Sequence, residues 1–299
     1  LENIVRDGIA PRITGVQMVP VSGFSQGPVL VVRIPKSWSS PHMVVLKNLS
    51  RFYTRNSAGK HQMDIVEIRA AFALSEALPE RIRRFRDERL GKIIAEDTPI
   101  PLSPGATLVL HIIPLNAFSV GSELDMRAIG TYGTKLPPIG AGGWSHRFNV
   151  DGHVTFSGNG QSKSYCQVFR RGQIEAAYAD LVRVQNDTPF IASVAYEKYV
   201  IEAARQYLQV LKDLNVPYPF LVMMSLTGVR HCHMYVSPRF FESGDPIDRD
   251  VILLPDILLD DYPQDVSCNL RPMFDAVWNA CGFERSYNYD DNGNWNPNR

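Results

Sequence analysis

The sequence predicts an α+β fold with mixed, largely antiparallel sheets and packed helices in two domains. Three observations predict it. Apolar runs of strand length, such as 29–34 and 220–226, are bounded by clusters of Gly, Pro, Ser and Asn. Longer segments, 64–95 and 194–214, repeat apolar residues at helical spacing instead. A proline-rich stretch, 97–105, separates two parts that each combine both patterns.

In the first part, Ile4, Val5 and Ile9 give a short helix that Gly8 and Pro11 end. Residues 16–21 and 29–34 read as strands, and the turn-rich 22–28 joins them as an antiparallel pair. Val29, Leu30, Val31, Val32 and Ile34 are apolar without alternation, which predicts a strand covered on both faces. Residues 42–46 and 51–54 form a further hairpin. Asp64 and Glu67 make a capping-box pair at the start of a helix carrying Ile65, Ile68, Ala71 and Phe72 on one face. Pro79 suits the first turn of a second helix, 79–95. That helix sets Arg81, Arg83, Arg84, Arg86, Arg89 and Lys92 against Ile82, Phe85, Leu90 and Ile93.

Beyond the linker, 106–115 reads as a buried strand and 140–143 as a glycine-rich loop. Residues 148–157, 164–170 and 172–178 alternate at period two with turns between them, as a meander does. The helix 194–214 brings Ala195, Tyr199, Ala203, Tyr207 and Leu211 to one side. A core strand at 220–226, a strand at 251–254 and a final helix at 274–281, stopped by Gly282, complete the part. The polar tail from Asn288 orders only if Tyr289 or Trp295 docks.

Composition narrows the function classes. A length of 299 residues suits two domains, and 44% hydrophobic with 21% charged residues excludes a disordered chain. Lys+Arg and Asp+Glu both count 31, so no global basic field draws in nucleic acid and any phosphate binding must come from a local patch. Cys166, Cys232, Cys268 and Cys281 are widely spaced with no CxxC pair. With no signal peptide, lipidation site or apolar run of spanning length, the expectation is a cytoplasmic protein without a membrane partner. The opening residues read as structured sequence, as in a piece of a longer polypeptide.

A local patch does exist. Arg33, Lys36, Lys47, Arg51, Arg55 and Lys60 fall on strand edges and loops, interleaved with Phe52 and Tyr53. Period two puts Arg51, Tyr53 and Arg55 on one face and Phe52 and Thr54 on the other. Arg51, Arg55 and Lys60 would contact phosphates, Ser57 and Gly59 would offer backbone N–H groups, and Tyr53 would pack or stack. The competing reading is a solvated hairpin tip.

Other constellations read more plainly as structure. The arginine helix is expected to be solvated, with Glu80, Asp87 and Glu88 interleaved for ion pairing. His231, Cys232 and His233 in a strand would not all face one ion, so no metal is expected there. Asp256, Asp260, Asp261 and Asp265 lack the register of a calcium loop. Arg170, Arg171 and Glu175 flank a turn at Gly172, and Asp275 and Trp278 lie near Arg271; each set forms a buried pocket or inter-element salt bridges. Cys166 and Cys281 read as inert small hydrophobes. There is no GxxxxGK[ST] loop, and no cofactor is expected.

Strand 29–34, Pro35-x-Ser37-x-x-x-Pro41-His42 and then Phe52-Tyr53-x-Arg55-x-Ser57 resemble the C-terminal portion of the Schlafen-type, AlbA-like DNA-binding domain of prokaryotes. Asn56 stands where that pattern usually has Gly. The resemblance covers about residues 1–70. It implies that residues 1–97 are the end of such a domain with its trailing helices, and that 105–299 form a separate α+β domain of unassigned role. It also implies nucleic-acid binding, DNA or RNA, mainly by backbone contacts and in a regulatory or defence setting. Arg55, Ser57 and Tyr53 match the motif, with Arg51 and Lys60 beside them.

Two alternatives stay open. Some family members are metal-dependent endonucleases acting on tRNA-like RNA; their catalytic carboxylates would lie upstream of Leu1, so no catalytic residue is assigned in this chain. The other alternative is an interaction module in which 105–299 forms a homo-oligomer or partner surface.

Overall fold

The computed structural model describes the chain except residues 1, 14, 26, 35–36, 38–39, 47–48, 57–58, 119–122, 159, 237–243 and 298–299, and the side chains of 2, 56 and 74–76. The architecture is α+β, and the chain divides into two units, Leu1–Phe85 and Arg86–Arg299.

In the first unit, α1 (Glu2–Asp7) precedes β1 (Ile9–Ala10), β2 (Gln17–Val21) and β3 (Val29–Arg33). β4 (Met43–Leu46), β5 (Leu49–Asn56) and β6 (Gly59–Gln62) join β1 in an antiparallel sheet of order β1-β4-β5-β6. The expected antiparallel pair of β2 and β3 forms, with Val19 opposite Val31, and among the described residues the two strands pair only with each other. The expected cover does not form: Val19, Val21, Val29, Leu30, Val31 and Val32 are all exposed. An apolar strand is covered on both faces only inside a larger layered sheet, and this two-stranded ladder has no such layers.

The helix α2 (Ile65–Ile94) starts on the expected capping box. The Asp64 carboxylate accepts from the N–H groups of Val66 and Glu67 at 2.7 and 2.8 Å, and Glu67 accepts from the Asp64 N–H at 3.0 Å. The expected break at Pro79 is absent, and one helix runs through it. Proline removes a single N–H, and the strong helix formers on either side carry the helix past it. The division between the units falls inside this helix, ahead of the proline-rich stretch.

The second unit is built on β7 (Thr107–Pro114), β8 (Ser145–Asn149), β9 (Gly152–Phe156), β10 (Ser164–Phe169) and β11 (Ile174–Tyr178), with the short α3 (Met126–Gly130) after β7. β12 (Val182–Gln185) and β13 (Thr188–Ala192) lead into α4 (Ser193–Asp213). β14 (Phe220–Thr227), β15 (His233–Tyr235), β16 (Val251–Leu253), β17 (Ile257–Leu259) and α5 (Val266–Asn279) complete it. Among the described residues the main sheet has eight strands in the order β16-β14-β7-β11-β10-β9-β8, with β17 also on β14. Its strand pairs are all antiparallel, whereas β13 and β15, in a small separate sheet with β12, pair in parallel.

Period two sorts this sheet into two faces. Leu108, Leu110 and Ile112 of β7 join Phe220, Val222, Met224 and Leu226 of β14 on one face, where Tyr207 of α4 and Phe274 and Trp278 of α5 cover them. Full burial of side chains this large contributes about 1.5–3 kcal/mol each. On the opposite face Leu90 and Ile93, from the last turns of α2, meet Val109. Ile100 packs there with Val154, Tyr165 and Ala177. The proline-rich stretch therefore lies on the sheet: Ser162 N–H donates to the Pro101 carbonyl and Ser103 N–H to the Ser162 carbonyl, both at 2.8 Å.

Local differences from the sequence reading have local causes. Residues 148–157 form two strands, because Asn149 accepts from the Gly152 N–H across a turn and starts β9 there. Gly152 sits at φ +151°, and a Cβ on it would lie 2.1 Å from the Val168 carbonyl oxygen. α5 begins well before Phe274, where Asp265 accepts from the Ser267 N–H at 2.9 Å. The tail docks through both expected aromatics: Tyr289 donates to the Ser267 carbonyl and Trp295 to Glu197.

Candidate nucleic-acid interface

β5 is the central element of the candidate site. Arg51, Tyr53 and Arg55 are exposed on one of its faces, as period two predicts, while Phe52 and Thr54 are half-buried on the other. The Phe52 ring meets the Phe72 ring of α2 edge-on, with centroids 5.9 Å apart, so the strand is anchored from behind. The turn into β6 brings Lys60 directly opposite Arg55 and Gln62 opposite Tyr53. Gly59 closes that turn at φ +123°, a conformation a side chain would strain. Directly opposed residues share a face, so Arg51, Arg55 and Lys60 surround Tyr53 and Gln62.

This face is cationic without internal neutralisation. Among the described residues no carboxylate lies within ion-pair distance of Arg51, Arg55 or Lys60. The acidic group near this edge is occupied elsewhere: Glu67 holds the Asp64 N–H and lies 3.1 Å from His61 Nε2, and these two hydrogen bonds lower its carboxyl. Ser57, Lys36 and Lys47 lie outside the described residues. Arg33 sits exposed at the end of β3. Pro41 is buried, and His42 Nδ1 lies 2.6 Å from the Pro11 carbonyl oxygen, so the Pro-His element ties loop to loop.

The second unit concentrates its charge differently. Arg86 and Arg89, expected on a solvated helix face, are both buried. They share a helical stripe with Ile82, Leu90 and Ile93, so the turn that carries the apolar anchors carries them too. Arg89 donates to both carboxylate oxygens of the fully buried Glu175 at 2.8 Å, and Tyr165 Oη donates to Oε1 at 2.8 Å. His111 Nε2 lies 3.1 Å from Oε2. Burial pushes the Glu175 carboxyl up, but Arg89 and His111 outweigh it and hold it at about 2. The partner of Glu175 is thus on α2, and neither Arg170 nor Arg171 pairs with it.

Glu197 of α4 is the second buried carboxylate, and the sequence reading missed it. Its Oε1 accepts from Trp278 Nε1 and Ser286 Oγ, and its Oε2 from Asn288 Nδ2 and Trp295 Nε1, all within 2.7–2.9 Å. Burial raises the carboxyl above its ordinary value, and these donors offset that only in part. Its spacing within α4 matches that of a core residue, but nothing local distinguishes it from a solvated glutamate.

Cys232 is buried, His231 turns at φ +67°, and His233 lies in β15. His153 Nε2 lies 3.2 Å from His146 Nδ1, and burial first, then His146, lowers the His153 ring. Among the described residues no group of three His, Cys, Asp or Glu side chains is placed to hold a metal ion. Asp265 caps α5, Asp256 pairs with Arg86, and Arg271 lies 3.4 Å from Asp275. A cleft of about 290 Å³ in the second unit is lined by Glu96, Thr107, Thr227 and Asp250 among others, and its charges are acidic. Among the described residues no helix is long and apolar enough to cross a membrane.

Among the described residues the carboxylates of Glu175 and Glu197 are buried and held by donors, whereas the β5–β6 face is cationic and open. No family model, curated protein or solved structure matches the chain.

Proposed function

We propose that this chain is a nucleic-acid-binding protein that holds DNA or RNA mainly by its phosphates, through Arg51, Arg55 and Lys60, with Tyr53 at the centre of the contact and Ser57 as a further contact residue. One observation carries the reading: β5 and β6 set these three cations on a single exposed face around an exposed aromatic, with no carboxylate among the described residues to neutralise them. A cationic face of that kind gains free energy from a polyanion by releasing its condensed counterions. The resemblance of residues 1–70 to the Schlafen-type, AlbA-like domain points the same way. Free cysteines throughout the chain fit a cytoplasmic setting.

The test is a salt titration of binding to a fluorescently labelled oligonucleotide. Replacing Arg55 and Lys60 by Ala should weaken binding and lower the slope of log K against log salt by about 0.7–0.9 per lost phosphate contact. An unchanged affinity and slope would refute the proposal.

A further inference from the structure

The same face carries information about the strandedness of its target, an inference that rests on the proposed function. We infer that it takes single-stranded nucleic acid, with one base stacked on the Tyr53 ring, rather than a duplex. Tyr53 is 43% exposed, and along β5 it lies between Arg51 and Arg55. Arg51 and Arg55 flank it at two residues on either side along β5, about 6.6–6.8 Å each way. The two cations are thus about 13 Å apart, room for phosphates two steps apart on an extended single strand with a base reaching the ring between them. A single strand laid along β5 therefore meets cation, aromatic and cation in register.

Along its length a duplex offers the central ring no free base face, because its bases are already stacked on one another and present only their edges in the grooves. On such a target Tyr53 would separate the cations without contributing. Every base offers a π face, so stacking on one tyrosine is sequence-tolerant. Gln62, directly opposite Tyr53 on β6, stands beside the stacked base with both a donor and an acceptor for its edge. The anchoring of Phe52 against Phe72 keeps the strand, and hence the ring, in place before the ligand arrives.

The experiment compares a labelled 12-mer of mixed sequence, as DNA and as RNA, with the duplex of the same sequence, all on the full chain. The expected result is tighter binding of the single strand. Tyr53→Ala should weaken it about tenfold or more and weaken duplex binding far less, and Tyr53→Phe should retain it. Tyr53 is exposed, so both variants keep the fold, and circular dichroism verifies this. The DNA and RNA arms decide which sugar is preferred. Equal binding of both forms with no effect of Tyr53→Ala, while the Arg55 and Lys60 replacements still weaken binding, overturns the single-strand inference and leaves the proposed function standing. No binding of any oligonucleotide overturns both.

Discussion

The Arg89–Glu175 pair offers a sharp test of how the second unit holds its polar interior. Glu175 is fully buried and accepts from Arg89 and Tyr165, with His111 3.1 Å away. A glutamate in the unfolded chain titrates near ~4.3, and in the folded protein it is held at about 2. That depression of about two units corresponds to about 3 kcal/mol of stability. The sign follows from the depressed value: the stabilisation is complete above about pH 5 and is lost as the pH falls through ~4 towards 2.

Removing one partner strands the other charge in the interior, and Arg89→Met alone should cost about 3–5 kcal/mol. The double replacement Arg89→Met, Glu175→Leu should cost less than the sum of the singles, with a coupling of about 2 kcal/mol or more. Urea denaturation followed by near-ultraviolet circular dichroism, which reports the buried Trp278, measures each value. Additive single costs, together with a stability that stays flat between pH 5 and pH 2.5, would refute the reasoning.

Two further outcomes follow from the other buried groups. Glu197→Ala leaves Trp278, Ser286, Asn288 and Trp295 without their acceptor, at about 1–3 kcal/mol for each donor that stays buried. The tail should then detach, and trypsin should cleave after Arg285 much faster than in the unaltered chain; equal resistance would contradict the role given to Glu197. For the thiols, burial pushes Cys166 and Cys281 up to about 12 and also raises Cys232, whereas Cys268 is exposed. A thiol reagent at pH 8 should titrate one group in the native protein and all four after denaturation, and rapid reaction of two or more native thiols would contradict it.

What could be read from the sequence depended on whether the signal was local. The capping box of α2, the alternation of Arg51, Tyr53 and Arg55, and the helical spacing of Tyr199, Ala203 and Tyr207 are all set within a few residues, and the structure shows each. The exposure of β2 and β3 was not legible, because burial depends on which strands stand beside them. Arg89 and Glu175 meet across the fold, so composition placed Arg89 on a solvated face. Glu197 has donors on α5 and the tail, and no spacing in the sequence announces them. The candidate face was legible in its residues, whereas the opposition of Arg55 to Lys60 and Tyr53 to Gln62 became definite only with the register of β5 and β6.

The position of β7 has a consequence for how the second unit is made. It is the earliest strand of its sheet in the chain, it is buried throughout, and its neighbours are β11 and β14. During synthesis it must wait for β11 to cover one edge, and then through β12, β13 and α4 for β14 to cover the other. An apolar strand is thus held half-paired while the chain grows. Folding limited by such long-range pairing is slow, and the waiting edge is the place where a nascent chain is most exposed to wrong partners.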